Sequence, residues 1–371
     1  MNLLRRIGFT AAALLPVALS LFGCSSAQAQ SGATAADAGQ TEDAGVQPLA
    51  CNDDGATDMT GTWAAIGRFA LGLQSQTGGI VTMCPSGQIA HATLIFLMRV
   101  EPGNAQTSLN VTATPCSLEL PIVTAVVGDC RPEANNLLAV EIPLPPQLIA
   151  RFPEIPLETV GATLSSQAAG SSLFVDRFHF TWGARNSASN MPAWMIGQPG
   201  CGLGDFAPGR TDVCESSCVD DCAALTDDDA DGYPAVTLQV CGRTQDDIAS
   251  KVPCRAQTPT EPGITLQGLL RMVLHTELQL DGTALSSCEA VGQFASLTTY
   301  SVIGADAYLA STSISVASAL QSLPVFEALA KESVFRMIRV DGKHGAPDWG
   351  IVAASPSQAC ATVLHKQNDL R

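Results

Sequence analysis

Apolar and polar residues alternate along much of this chain. Between Leu270 and Leu280, leucine or methionine occupies every second position except 276, while Arg271, His275 and Glu277 fall between them. A period of two predicts a strand with one buried face. Similar patterns, or short apolar runs, predict further strands over residues 62–70, 92–98, 108–114, 119–127, 137–142, 173–182, 234–240, 294–303, 307–313 and 334–340. Helical periodicity is confined to residues 145–151 and 316–322, so the chain is predicted to be mainly β.

Landmark residues recur at a spacing of about 171 residues, as expected for an internal duplication. Cys51 then matches Cys222, and residues 97–100 match residues 269–272. Many short strands separated by turn residues favour antiparallel sheets. We therefore expect two tandem antiparallel β-sandwich or β-barrel-like repeats, stabilised by disulfides. The alternative is one larger barrel made from both halves.

The duplication and the composition together predict five segments. These are a signal peptide over 1–23, a flexible tether over 24–50, a β-rich repeat over 51–201, a Cys/Asp-rich linker over 202–221 and a second β-rich repeat over 222–371. The tether is rich in Ser, Ala, Gly, Gln, Asp and Thr and almost lacks bulky apolar residues. Such a segment buries too little surface to offset its conformational entropy, so we expect it to stay extended and mobile.

The N-terminus has the pattern of an export signal. Arg5 and Arg6 precede an apolar run that is too short for a membrane span and that ends at Leu21-Phe22-Gly23-Cys24. These four residues resemble the lipobox of bacterial lipoproteins, in which the cysteine is acylated, for example with palmitate, and becomes the new N-terminus. Phe22 departs from the smaller residue usual at its position. The resemblance implies an outer-membrane lipoprotein, because Ser25 follows the cysteine.

A second cleavage site gives the alternative of a freely secreted or periplasmic protein. Ala27-Gln28-Ala29 fits the small-x-small rule of ordinary signal peptidase. Under either cleavage, Cys24 does not take part in a disulfide.

The cysteine content fits an oxidising compartment. There are 13 cysteines, and setting Cys24 aside leaves an even number that could form disulfides. The disulfide candidates are Cys51, Cys84, Cys116, Cys130, Cys201, Cys214, Cys218, Cys222, Cys241, Cys254, Cys288 and Cys360, with the pairing left open. Zinc is the competing interpretation for Cys214, Cys218 and Cys222, but their spacing of four is not that of a zinc knuckle.

An acidic loop is the clearest chemical motif. Asp227, Asp229 and Asp231 alternate before Gly232, a pattern that lets three carboxylates converge on one hard cation. The loop resembles the calcium loops of EF-hands and thrombospondin type 3 repeats. That resemblance implies a structural Ca²⁺ held by the three carboxylates and by the backbone carbonyl of Tyr233.

The resemblance ends at the twelfth position, which is Leu238 rather than Glu. Asp220, Asp221 or Asp228 could supply the remaining oxygens. A solvated acidic linker without an ion is the competing interpretation. The matching stretch of the first half retains Asp58 and Gly61 but lacks two of the acids, so we expect at most one such site.

Few other residues suggest a catalytic or binding role. His91, His179 and His275 fall in strand patterns, and we expect them to be structural or exposed. Asp176 near His179 suggests acid–base chemistry, but no nucleophile motif accompanies it. Residues 341–345 could line a pocket, but a turn before a core Trp349 is the favoured interpretation.

Charge and composition narrow the function classes. The chain carries 35 acidic against 19 basic residues, a net charge of −16, which argues against a nucleic-acid partner. We expect an exported, lipid-anchored cell-envelope protein that binds an unknown surface ligand or protein and has a structural calcium site. We do not expect an enzyme, and a secreted hydrolase is one alternative.

A second alternative rests on Thr60-Gly61-Thr62-Trp63, which resembles the Gly-x-Trp motif at the start of lipocalin barrels. That resemblance implies a carrier of an apolar small molecule, which would need a barrel with a hollow interior.

Overall fold

A computed structural model describes residues 51–52, 56–76, 78–131, 137–155, 159–185, 225–249, 266–310, 312–314 and 322–371. The strands are β1 (Gly61–Gln74), β2 (Val81–Met83), β3 (Gln88–Pro102), β4 (Ser108–Glu119), β5 (Val123–Val127), β6 (Leu138–Glu141), β7 (Thr159–Leu164), β8 (Ser171–Trp182), β9 (Val236–Thr244), β10 (Leu266–Ala284), β11 (Glu289–Leu309), β12 (Thr312–Ile314), β13 (Val325–Ala328) and β14 (Val334–Arg339). The helices are α1 (Pro146–Arg151), α2 (Gln245–Ala249) and α3 (Pro356–His365). Within these residues, no helix is long and apolar enough to cross a membrane.

Eight strands close into one antiparallel barrel. Their order around the ring is β1, β3, β4, β7, β8, β10, β11 and β14, and β14 pairs with β1 again. Each strand of the ring pairs with the next ring strand along the chain, which defines an up-and-down barrel. Closure leaves few exposed sheet edges.

Side chains alternate between the barrel interior and its outer face. On β1, Trp63, Ala65 and Phe69 point into the main core, whereas Ala64 points outward into a smaller core. This alternation is the period of two that the sequence predicted.

The two ends of the barrel differ. One end, which we call the Trp63 end, contains Gly61, Pro102 and Ala284, and the strands of three hairpins meet there. At the opposite end, near Leu73 and Trp182, further strands extend the barrel: β9, β6, β5 and β2 continue from β10, while β12 and β13 pair with β11 and β1.

The second, smaller core lies outside the barrel beneath the C-terminal helix. Ile95, Trp349 and Val363 are buried there. Helix α3 starts at a capping box in which the Ser355 hydroxyl accepts from Gln358 N and the Gln358 side chain accepts from Ser355 N. Its Cys360 is bonded to Cys116 of β4, which ties the helix to the barrel wall.

Disulfides are present, as predicted, and they join distant parts of the chain. The described pairs are Cys51–Cys288, Cys84–Cys130 and Cys116–Cys360, with sequence separations of 237, 46 and 244 residues. Cys241 is also disulfide-bonded. Of the other candidates, Cys201, Cys214, Cys218, Cys222 and Cys254 lie outside the described residues.

The mainly β, antiparallel and disulfide-linked fold is confirmed, but two separate repeats are not. Strands from both halves of the chain share one ring, which is the arrangement of the alternative with a single barrel. The matched segments also differ in position: Arg99 lies near the Trp63 end of β3, whereas Arg271 lies near the opposite end of β10. The first-half strand β1 belongs to the ring, but β9, at the corresponding place in the second half, lies outside it.

Most predicted strands are present, and the observed elements differ from the prediction in several places. The patterns at 294–303 and 307–313 fall largely within one strand, β11, which contains a bulge opposite Arg271. Strands β2, β7 and β13 and helices α2 and α3 were not predicted. The helix over 145–151 is confirmed as α1, while most of the predicted helix over 316–322 lies outside the described residues.

Candidate functional site

The barrel interior is hollow at the end opposite Trp63, which we call the cavity end. Two adjoining lobes have volumes of about 80 and about 90 Å³. Both lobes are lined by Leu120, Ile142, Leu323 and Phe326, so these four side chains lie at the boundary between the two lobes. Because protein interiors rarely leave voids larger than a water molecule, this space is a feature of the fold that needs an explanation.

The inner lobe lies within the ring of eight strands. Phe69, Ala92, Trp182 and Met272 line it from four different strands. Its few polar side chains satisfy one another or the backbone. The hydroxyls of Thr276 and Thr298 are 3.2 Å apart, and the Tyr300 hydroxyl donates to the carbonyl of Pro324 at 2.6 Å. Burial raises the pKa of Tyr300 to about 12, so this group stays a neutral phenol at physiological pH.

The outer lobe lies among the added strands and is apolar throughout. Val81, Val140, Val240 and Ile314 line it from β2, β6, β9 and β12. Ile122 and Val325, which neighbour lining residues along the chain, are 62% and 49% exposed. An apolar lining of this kind is typical of a site for an apolar ligand.

The Trp63 end is filled instead. Trp63 and Arg339 are fully buried, and the Arg339 guanidinium lies over the indole at 5.1 Å from the ring centroid. The Trp63 indole nitrogen donates to the carbonyl of Met59 at 2.9 Å. Arg339 Nε donates to Ser287 O at 2.6 Å, and Nη2 donates to Asp58 O. Trp63 and Arg339, with the residues that bind them, therefore fill this end of the barrel, and we call them the plug.

Asp58 belongs to this plug and not to a second calcium loop. Burial alone would raise its pKa, but hydrogen bonds from Thr60 and His344 and the charge of Arg339 outweigh burial and lower the pKa. His344 Nε2 lies 3.2 Å from Asp58 Oδ2. Residues 343–345 form a short 3₁₀ turn, and Trp349 is buried beyond it, as predicted. Asp341 and Lys343 also line a groove on the outer side of the barrel wall, so both interpretations of this segment hold.

The acidic loop precedes β9 at the cavity end. One carboxylate oxygen from each of Asp227, Asp229 and Asp231 lies within 4.8 Å of the others. Asp227 accepts hydrogen bonds from the backbone N–H groups of Asp231 and Gly232 at 3.1 and 3.0 Å. Gly232 has a φ of 89°, which fits the turn that the sequence assigned to it.

Asp229 is the unusual member of the loop. Its side chain is 2% exposed, its Oδ2 accepts from Thr237 N at 2.9 Å, and its Oδ1 is buried with no hydrogen-bond partner among the described residues. Burial, reinforced by the neighbouring carboxylates, raises its pKa to about 6. A buried carboxylate next to two others costs folding free energy unless a cation or proton neutralises it.

Other predicted ligands have different surroundings. Asp228 Oδ2 accepts from Gly183 N at 2.7 Å, which connects the loop to the end of β8. The Tyr233 ring lies 4.1 Å from the Arg271 guanidinium. Leu238, at the twelfth position of the loop template, is a β9 residue that lines the inner lobe. Cys24, Asp220 and Asp221 lie outside the described residues.

Comparison with known proteins gives no family for this chain. No protein-family model matches the sequence, and no curated protein is significantly similar to it.

The sequence did not reveal the cavity or the Trp63–Arg339 contact. Both depend on which strands are neighbours, and Arg339 meets Trp63 only because β14 closes the ring against β1. The Gly-x-Trp residues were a local signal for the buried indole, but the arginine has no comparable signal.

Proposed function

We propose that this chain is an exported cell-envelope binding protein whose barrel takes up an apolar small molecule. The observation that carries the proposal is the apolar cavity at one end of an eight-stranded barrel that is plugged at the other. Up-and-down barrels of eight strands have an interior wide enough for one small ligand, as in lipocalins. The Gly-x-Trp resemblance at Gly61 and Trp63 supports the same function.

The shape and lining of the cavity indicate the class of ligand. Its two lobes meet at Leu323 and Phe326, so an elongated molecule would fit better than a compact polar one. Burying apolar surface contributes about 25 cal/mol per Å², which is the main source of affinity at such a site. The Thr276 and Thr298 hydroxyls are the polar groups that could accommodate a single hydroxyl or carbonyl of the ligand.

In this proposal, a Ca²⁺ ion bound at the acidic loop would stabilise the folded protein. The buried Asp229 and its two acidic neighbours supply three oxygens, and Ca²⁺ binds six to eight. The missing acid at Leu238 predicts weak affinity, roughly 10⁻⁴ to 10⁻³ M, as in extracellular modules. Because the loop leads into β9, an ion there would stabilise one wall of the cavity.

The proposed location in the cell envelope rests on the predicted export signal. Acylation at Cys24 would hold the barrel at the outer membrane through the tether, near a source of apolar ligands. Metabolic labelling with palmitate tests this: wild type should incorporate label and Cys24→Ala should not. An unlabelled wild type cleaved after Ala29 would instead establish a secreted or periplasmic protein.

A second candidate is an interaction module for another protein or a surface ligand. The exposed Ile122 and Val325 would serve either function, because exposed apolar residues also occur in protein interfaces. An interaction module does not need a hollow barrel, which is why the carrier is preferred.

Extraction of the purified protein separates the two candidates. Organic solvent applied to full-length protein from its native envelope should release an apolar molecule at close to one per chain, identified by mass spectrometry. Protein from a matched preparation of Ala92→Phe, which fills the inner lobe, should release less. Equal recovery from both proteins, or none from wild type, would contradict the carrier function.

A further inference from the structure

Two histidines and a glutamate meet on the outer face of the barrel, away from the cavity and from the acidic loop. His275 and Glu277 are on β10, two residues apart, and His179 is on the neighbouring strand β8, directly opposite Glu277. One ring nitrogen of each histidine and one Glu277 oxygen lie within 4.8 Å of one another. No local sequence pattern indicates this cluster, because β8 and β10 are far apart along the chain.

The three side chains converge on one carboxylate oxygen. His179 Nδ1 is 3.9 Å and His275 Nε2 is 3.8 Å from Glu277 Oε1. Ligand atoms around a tetrahedral Zn²⁺ with bonds of about 2.0–2.2 Å are roughly 3.3 Å apart. Small side-chain rotations would therefore close the cluster around an ion. The centroids of the two imidazole rings are 5.8 Å apart, and the ring planes are inclined by 29°.

Neighbouring groups orient the ligands. The Thr181 hydroxyl is 2.8 Å from His275 Nδ1, which leaves Nε2 facing Glu277. The Arg177 guanidinium binds Glu277 Oε2 at 2.9 Å and leaves Oε1 for the two histidines. Hydrogen bonds of this kind to the far atoms of the ligands are typical of metal sites, where they fix the tautomer and the ring orientation.

We propose that His179, His275 and Glu277 bind one divalent transition-metal ion, and that the ion is Zn²⁺. Two imidazoles and a carboxylate suit a borderline cation better than Ca²⁺, which prefers oxygen ligands only. Three protein ligands leave a fourth tetrahedral position for water or for a group of a partner molecule. The side chains of His179 and Glu277 are both 20% exposed, so an ion can enter from solvent.

Isothermal titration of the full-length protein, stripped of metal with a chelator and dialysed, tests the site directly. Zinc chloride should bind at one ion per chain, also in excess calcium. His275→Ala and Glu277→Gln should each weaken the affinity by at least about tenfold. His91→Ala is the matched control, because His91 is an exposed strand histidine on β3 outside the cluster. Asp229→Asn should also leave zinc binding unchanged.

Cobalt gives a spectroscopic signature that misfolding would not imitate. Co²⁺ bound by wild type should show the intense visible absorption of a tetrahedral complex, and zinc should displace it. If His275→Ala does not fold, as judged by circular dichroism, the partly exposed His179→Gln replaces it. Zinc binding that is absent in wild type, or that His91→Ala weakens as much as the cluster variants, would overturn the proposal.

Discussion

The two ends of the barrel are formed by the same strands, but one end is filled by side chains and the other is hollow. At the Trp63 end, an indole and a fully buried guanidinium fill the space between the walls. At the cavity end, the ring continues into added strands whose side chains leave two apolar lobes open. Closure of the ring alone therefore does not determine whether a barrel is filled, because side-chain volume and added strands determine it locally.

The largest expected effect is at the Trp63 end. Arg339→Met should lower the free energy of unfolding by about 3–5 kcal/mol, because it removes the charge that faces Asp58 and Asp341 in a buried setting. Urea unfolding measures this. Arg99→Met is the control: Arg99 pairs with Glu101 at the surface with 75% of its side chain exposed, so the loss should stay below about 1 kcal/mol. Similar losses for the two variants would show that the plug is not a stability element.

The Cys116–Cys360 disulfide should have the next largest effect. It closes a separation of 244 residues and holds α3 against β4. Replacing both cysteines with alanine should cost about 2–4 kcal/mol of unfolding free energy. The cavity lies within the ring and among the added strands, and not under α3, so binding of an apolar probe should persist in the folded variant. Loss of probe binding without loss of stability would place the ligand site elsewhere.

Equal substitutions at the two ends compare filled and hollow regions directly. Ala65 and Ala92 are buried inward-facing alanines on neighbouring strands. Ala65→Phe should cost about 1–3 kcal/mol through overpacking, because its surroundings are filled. Ala92→Phe should cost less, because the added ring enters the inner lobe. Urea denaturation of both variants measures the two losses of unfolding free energy. Equal losses would mean that the inner lobe has no room for the added ring.

The smallest effect concerns the acidic loop and depends on pH. Folding raises the pKa of Asp229 to about 6, so the folded protein binds more protons than the unfolded chain between roughly pH 4 and 6. Stability without calcium should therefore fall as pH rises through this window. Asp229→Asn should remove that fall, as thermal unfolding in a chelator would show.

Calcium provides the second readout at this loop. Millimolar Ca²⁺ should raise the melting temperature of wild type at neutral pH, because it binds the folded form only. Asp229→Asn should abolish the rise, and Asp281→Asn, an exposed β10 acid outside the loop, should not. Identical wild-type melting curves in calcium and in chelator would show an acidic loop without an ion.

Local patterns predicted the parts of this fold that depend on local sequence. The alternation on β10 and the turn at Gly232 are both present, because each is set by neighbouring residues. Strand β7 was missed because Thr159–Leu164 is short and rich in small residues, which resemble a loop. Helix α3 was missed although Ser355 and Gln358 carry its capping signal.

Long-range pairing could not be predicted from the same patterns. A period of two says which face of a strand is buried, but not which strand lies beside it. The His179–Glu277 proximity needs β8 to pair with β10, and the Trp63–Arg339 contact needs β14 to pair with β1. The spacing of about 171 residues suggested two units, whereas the strands of both halves close one ring.

Titration of the full-length protein with an uncharged fluorescent apolar probe, such as N-phenyl-1-naphthylamine, tests the central claim most directly. Wild type freed of ligand by solvent extraction should bind one probe per chain, and a long-chain hydrocarbon should displace it. Ala92→Phe should weaken probe binding at least about tenfold, while exposed Val352→Phe should bind like wild type. Saturable binding that is unchanged in Ala92→Phe, or no binding to wild type, would contradict a barrel that carries an apolar molecule.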